Sequence, residues 1–159
     1  MFKIGDLAVY PAHGVGKIES IETRNVAGKK QDFYIVRILD NDMKIMIPIP
    51  NAGAVGLREL IDSTDIPKVY EILKTREISI NGGTWNRRYR GYMEKIKTGS
   101  IYELAEVLRD LTVLKGDKEL SFGERKMLDT ARGLLLRELS IVSEVSENDL
   151  DEEIREILK

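Results

Sequence analysis

Phe33-Tyr34-Ile35-Val36-Arg37-Ile38-Leu39, a turn at Asp40-Asn41-Asp42, then Met43-Lys44-Ile45-Met46-Ile47-Pro48-Ile49: this stretch decides the fold of the first part of the chain. Both arms are rich in β-branched and aromatic residues, and the polar triplet between them makes a tight turn, so the stretch predicts a β-hairpin. Pro48 has no N–H to give to a sheet ladder and therefore marks a strand end or an edge. Alternation puts Met46 on the face opposite Ile45 and Ile47. Met46 then either fills a core or offers an apolar side chain on an edge strand, where another protein can dock by strand addition.

Outward from the hairpin, the first 62 residues continue as strands. Ala8-Val9-Tyr10 ends at Pro11, and Ala12-His13-Gly14-Val15-Gly16 supplies a glycine-punctuated turn. Lys17-Ile18-Glu19-Ser20-Ile21-Glu22 has the period of a half-buried strand. Residues Asn25 to Lys30 read as a polar loop, and Val55-Gly56-Leu57-Arg58 as one further short strand. Four or five short strands in so few residues hide their edges by curling into a small barrel.

From residue 63 onward the chain reads as helices. Ser63-Thr64-Asp65 offers capping oxygens, and Pro67 suits an early helical position before Lys68–Lys74. Asn81-Gly82-Gly83 breaks the chain, and Thr84 is placed to cap a helix beginning at Trp85. Ser100–Glu103 and Ser121–Glu124 each have the spacing of a capping box, while Gly99 and Gly116 stand where helices should end. Ile101, Leu104, Ala105, Leu108 and Leu111 form one apolar face, and Met127, Ala131, Leu134, Leu135 and Leu139 another. The segment from Asn148 to Lys159 reads as a short acidic helix. The expectation is an α+β protein, with a small β-barrel over 1–62 and a compact helical domain over 63–159.

Charge is unevenly placed along the 159 residues, whose net charge is -2. Residues 66–126 carry 13 Lys and Arg against 9 Asp and Glu, whereas 127–159 carry 4 against 9. The basic excess gathers around Thr84-Trp85-Asn86-Arg87-Arg88-Tyr89-Arg90, which contains the sole tryptophan. Guanidinium forks suit phosphate oxygens, and an indole stacks on or wedges against a base. The plainer alternative is an ordinary amphipathic helix whose stripe is Trp85, Tyr89, Tyr92, Met93 and Ile96. Arg125-Lys126 is a second basic pair, also expected in a first helical turn, where backbone N–H groups attract phosphate. Whether the two helix starts meet in space is left open by the sequence.

Catalysis has little to work with. The one histidine, His13, lies in a turn with no nucleophile or ligand partner evident, and Gly14-Val15-Gly16-Lys17 lacks the spacing of a phosphate loop. With no cysteine there is neither a disulfide framework nor a thiolate metal site. No apolar run reaches the length of a membrane span, and no secretory signal is evident at the N-terminus. No catalytic residue, cofactor, metal, membrane association or small-molecule substrate is expected, and the expected location is cytoplasmic.

Several segments in order resemble the CarD/CdnL family of bacterial transcription regulators, most nearly its CdnL type. They are Phe2–Asp6 with Val9-Tyr10-Pro11 and His13–Gly16, Met46-Ile47-Pro48, Val55–Arg58, Thr84–Tyr89, Ala105–Leu111 and Leu120–Leu128. The resemblance implies a Tudor-like barrel, shared with transcription-repair coupling factors, that docks on the β subunit of bacterial RNA polymerase. Arg24, Val36, Met46 and Pro48 match positions of that docking surface. Some members carry arginine at the position of Met46, so the contact here should be more apolar. The resemblance further implies that the helical domain reaches promoter DNA at the upstream edge of the transcription bubble. There Trp85 would wedge into the minor groove, with Arg87, Arg88 and Arg90 beside it and Arg125 or Lys126 at a further basic position. Such a protein would be associated with the nucleoid through polymerase. An adaptor that recruits polymerase to another complex without touching DNA is the alternative, and the residues alone leave both open.

Overall fold

A computed structural model describes residues 1–75, 85–115 and 120–159, and for Trp85 the backbone alone. The chain divides into two compact units, Met1–Leu60 and Ile61–Lys159.

In the first unit β1 (Leu7–Tyr10), β2 (Gly14–Val26), β3 (Lys29–Ile38) and β4 (Lys44–Pro48) form one antiparallel sheet in the order β1-β2-β3-β4. The sheet is a half-barrel. On the β1 side it is extended by the returning chain, where the Val9 N–H donates to the Arg58 carbonyl at 2.7 Å and the Arg58 N–H returns the bond at 3.1 Å. The expected fifth strand is thus reduced to a single bridge. Glycine turns consume the residues before it: Gly56 has φ +82 and lies so close to Pro11 that a Cβ would meet its ring carbon at 2.9 Å. Ala8, Ile18, Tyr34, Val36, Ile38 and Ile47 fill the interior, joined by Ala52 and Leu57 from the returning chain. Phe2 closes one end, its ring edge-on to Tyr34 at 5.9 Å and its N–H donating to the Tyr34 hydroxyl at 3.1 Å.

The segment expected as a polar loop is instead the tip of a long ribbon. β2 and β3 pair continuously from Ser20↔Ile35 to Val26↔Lys29. The turn is Ala27-Gly28, with φ of 53 and 80. Two left-handed residues in succession match the natural twist of the flanking strands. Alanine rarely takes that conformation, so the turn was not legible from residue type. β4 pairs only with Phe33–Arg37, and β1 only with Gly14–Lys17, so the outer part of the ribbon extends beyond both neighbours.

The second unit holds five helices among the described residues: α1 (Ile66–Lys74), α2 (Trp85–Thr98), α3 (Ile101–Lys115), α4 (Phe122–Ser143) and α5 (Glu147–Leu158). Asp62, rather than the expected 63–65 triplet, supplies the capping oxygen, accepting from the Thr64 N–H at 3.2 Å, and Pro67 sits in the first turn of α1. Ser121 and Glu124 make the expected reciprocal cap of α4. Gly99, with φ +78, ends α2. At the start of α3, Thr98 donates its hydroxyl to the Glu103 carboxylate. The expectations for Asn81-Gly82-Gly83, Thr84 and Gly116 fall outside the described residues.

α3 is the central element because two of its faces are apolar. Leu104, Val107 and Leu111 meet Tyr92 and Ile96 of α2 and Met127 and Ala131 of α4. Ile101, Ala105 and Leu108 pack with Val69 and Leu73 of α1, Leu135 and Leu139 of α4 and Leu150 and Ile154 of α5. Among the described residues, three charged ones are also buried: Arg109, Asp110 and Glu138. The Glu138 carboxylate accepts from the Ile61 N–H at 2.9 Å, holding the start of this unit against α4.

One constraint of the barrel is directly testable. A Cβ on Gly16 would meet Val36 Cγ1 at 2.5 Å and the Arg37 carbonyl at 3.2 Å. Gly16→Ala should therefore cost about 1–3 kcal/mol of stability through overpacking, read from a denaturant midpoint that moves without a change of slope. An unshifted midpoint contradicts the close approach.

Candidate functional site

The barrel unit offers an apolar edge. β4 ends the sheet order, and its side away from β3 has no strand partner among the described residues. Ile47 points into the core, as alternation requires, and Met46 is 44% exposed on the other face. The reading in which Met46 fills the interior is therefore set aside. Its cross-strand neighbour is Ile35, and Phe33 faces Pro48 in the same ladder, so Met46 covers part of an apolar outer face. Val36, by contrast, is wholly buried in the barrel core. Its side chain shapes the hairpin from within and has no surface to offer a partner. Arg24 lies on the outer ribbon, opposite Gln31, and pairs with Glu22 at 3.0 Å. Arg24 is four residues along β2 from Ser20, the partner of Ile35, so it stands about 13 Å from Met46's neighbourhood at 3.3 Å per residue.

The helical unit packs α2 and α4 into one buried cluster, and both helices begin with basic residues. In α2, Arg87 and Arg90 are exposed and Arg88 is half-buried. Trp85 provides the first residue of the helix; its side chain lies outside what is described. In α4, Arg125 and Lys126 are exposed in the first turns, and Phe122 at the very start is 85% exposed. Phe122, Arg125 and Lys126 line a shallow cleft with Asp129 and Thr130. The two helices share an interior: Tyr92 of α2 and Met127 of α4 belong to one buried cluster.

Charge reinforces that junction. Tyr92 has no accessible surface, and its hydroxyl is held well above the ordinary phenol range. Burial is the main cause, followed by the charge of Asp110, with Glu124 of α4 adding to it and the Arg88 guanidinium opposing it. Asp110 in turn receives Arg109 Nη2 at 3.1 Å and Nε at 3.3 Å, and Arg109 Nη1 donates to the Ile72 carbonyl of α1 at 3.3 Å. Hydrogen bonds thus tie α3 to the end of α1 through Arg109, and the Tyr92 hydroxyl of α2 feels the charge of Asp110.

The two halves of the chain match two family models: the CarD-like/TRCF RID domain over residues 2–61 and the CarD C-terminal domain over residues 68–155. The chain belongs to the CarD/CdnL family. The putative transcription factor YdeB of Bacillus subtilis (strain 168) is 38% identical over 150 residues, which cover 94% of this chain and 97% of YdeB. The solved structure of CdnLNt from Myxococcus xanthus is 59% identical over 38% of this chain and 86% of its own, with a TM-score of 0.34. Membership makes the first unit a Tudor-like domain and places the chain among non-enzymatic regulators.

Two features of this CarD-family chain escaped the sequence. Phe122 carries no role in the sequence reading, yet the Ser121 cap places it at a position that faces outward. The legible signal was a large aromatic directly after a capping serine and before Arg125-Lys126. The phase of α2 also differs: the expected stripe included Tyr89, which is exposed, whereas Arg88 lies nearer the interior.

The raised Tyr92 ionisation has a sign. Its folded pKa lies above the unfolded value of 10.0, so the related stability is complete below pH 10 and is lost as pH rises past it. Tyr92→Phe should remove up to about 1.4 kcal/mol of that loss per pH unit, seen by comparing denaturation just below and one unit above pH 10. Equal losses in both proteins would show that Tyr92 ionises freely.

Proposed function

We propose that this chain is a transcription initiation regulator that docks on the β subunit of RNA polymerase and stabilises the promoter open complex. Membership of the CarD/CdnL family supports a polymerase partner. The exposed β4 edge, with Met46 and Pro48 and with Arg24 farther along the ribbon, supports a docking surface that is mainly apolar. Val36 contributes by holding that hairpin in shape.

The observation that carries the DNA part of the reading is the arrangement of the helix starts. A chain of net charge -2 exposes Arg87 and Arg90 at the start of α2, and Arg125, Lys126 and a bare phenylalanine at the start of α4, two helices that share one buried cluster. Guanidinium and ammonium groups suit a phosphate backbone, and aromatic rings suit unstacked or kinked bases. Arg88 stands at the rim of this surface, and Trp85 is assigned the wedge at the upstream bubble edge on family resemblance. Docking on polymerase delivers these groups at high effective concentration, so they need little affinity of their own. A surface that fits the distorted junction better than closed duplex raises the open fraction by that difference alone. About 1.4 kcal/mol gives a tenfold shift. Because phosphate and shape carry the contact, the effect is largely independent of sequence, and its size follows the instability of each promoter's bubble. The protein then works in the cytoplasm, carried to the nucleoid by polymerase.

Two variants test the two surfaces separately. Met46→Asp should abolish copurification with the polymerase β subunit while the fold survives, because it places a charge in an apolar contact; an unaltered pull-down removes the β4 edge from the interface. Trp85→Ala should leave polymerase binding intact and shorten open-complex lifetime about tenfold or more. Loss of polymerase binding with unchanged bubble stability would instead favour an adaptor that never touches DNA.

A further inference from the structure

The chain that joins the two units is tied at both of its ends. On the barrel side, Arg58 exchanges two backbone hydrogen bonds with Val9 of β1. On the helical side, the Ile61 N–H donates to the Glu138 carboxylate of α4 at 2.9 Å. Glu59 and Leu60 alone stand between these anchors, and neither belongs to a helix or strand. The Ile61 side chain adds to the second anchor, packing with Ile66 against the cluster that holds Leu135 and Leu139. Glu138 is an expensive way to make that anchor. It is 2% exposed, on a stretch of α4 where Leu135, Leu136 and Leu139 are buried as well. A carboxylate there gives up its hydration, and an apolar side chain of similar volume would serve stability as well or better. What leucine cannot supply is an acceptor for a backbone N–H outside any ladder, a group that needs a partner once it is covered. An ionised acceptor also makes the bond stronger than a neutral one would.

We propose that Glu138 is a positioning residue: it latches the connecting chain at Ile61, so that the helical unit is carried on two free residues, Glu59 and Leu60. The value of the latch rests on the proposed function, whereas the latch itself is a property of the free protein. A barrel docked on polymerase delivers the helix starts at an effective concentration set by the length and stiffness of the tether. Releasing Ile61 lengthens the free stretch toward Asp62, whose side chain caps the next turn through the Thr64 N–H. The basic surface then samples a larger volume and spends less time at the opened promoter, although none of its own residues has changed.

The test uses the full chain, first free and then on polymerase. Glu138→Leu removes the acceptor and nearly keeps the volume. In the free protein it should speed hydrogen exchange of the Ile61 amide about tenfold and lower the backbone order parameters of Leu60 and Ile61. The Val9–Arg58 bridge and the interior of α4 should stay protected. Glu138→Gln, which restores an acceptor oxygen, should recover part of the protection. Leu111→Ala should lower the stability of the unit without singling out Ile61. Glu138→Met makes the same deletion with a more adaptable side chain should the leucine variant fold poorly. On polymerase, Glu138→Leu should copurify normally and shorten open-complex lifetime about threefold. Ile61 exchange that does not respond to Glu138→Leu or Glu138→Met overturns the latch. Faster exchange with an unchanged lifetime, while Trp85→Ala still shortens it, overturns the positioning role. A lifetime indifferent to both Glu138→Leu and Trp85→Ala counts against the proposed function, and the exchange data alone then decide the latch.

Discussion

A carboxylate without water orders the helical unit. Asp110 sits inside α3 with Arg109 beside it, and the desolvation of such a pair is costly enough that apolar residues in its place would serve stability as well or better. The pair brings direction instead. Arg109 reaches the end of α1, Tyr92 closes from α2, and Glu124 at the capped start of α4 contributes its charge to the same point. Apolar contacts alone tolerate sliding of one helix over another, whereas the bonds of Arg109 to Asp110 and to the Ile72 carbonyl tie α3 to the end of α1 in one register.

The barrel unit solves a different problem by different means. Close approach at Gly16 lets β3 curve over β2, the returning chain bridges β1, and β4 is left as an edge. Alternation does the rest, sending Ile47 inward and Met46 outward. The two units therefore present surfaces with unlike physics. The β4 edge is apolar and short-ranged, so binding there should be nearly indifferent to salt. The helix starts are basic and should weaken as salt rises. On the proposed function, this division lets an acidic chain touch DNA only where a partner has already brought it.

Much of this was written plainly in the residues. The Phe33–Ile49 hairpin, the placing of Met46 on the face opposite Ile45 and Ile47, the Ser121 cap and the apolar faces of α3 and α4 follow from periodicity and turn chemistry, because each depends on neighbours within a few positions. The failures have a common cause in contacts that are distant in sequence. Ala27 takes a left-handed turn because two long strands demand it. Val55–Arg58 does not become a strand because Pro11 crowds Gly56. Arg109 and Asp110 look like the polar interruption of an amphipathic helix and are instead buried, since α1 and α2 cover both sides of α3. Val36 was placed on the docking surface by resemblance, although the strand's own alternation already assigned it to the core with Tyr34's face.

The central claim is that the family architecture here delivers an aromatic and basic surface to the upstream edge of an opened promoter. Footprinting of a polymerase–promoter complex with and without the protein tests it most directly. The account predicts added protection confined to the upstream bubble edge, with contacts elsewhere on the promoter unchanged. An identical footprint, formed while the protein remains bound to polymerase, would contradict it.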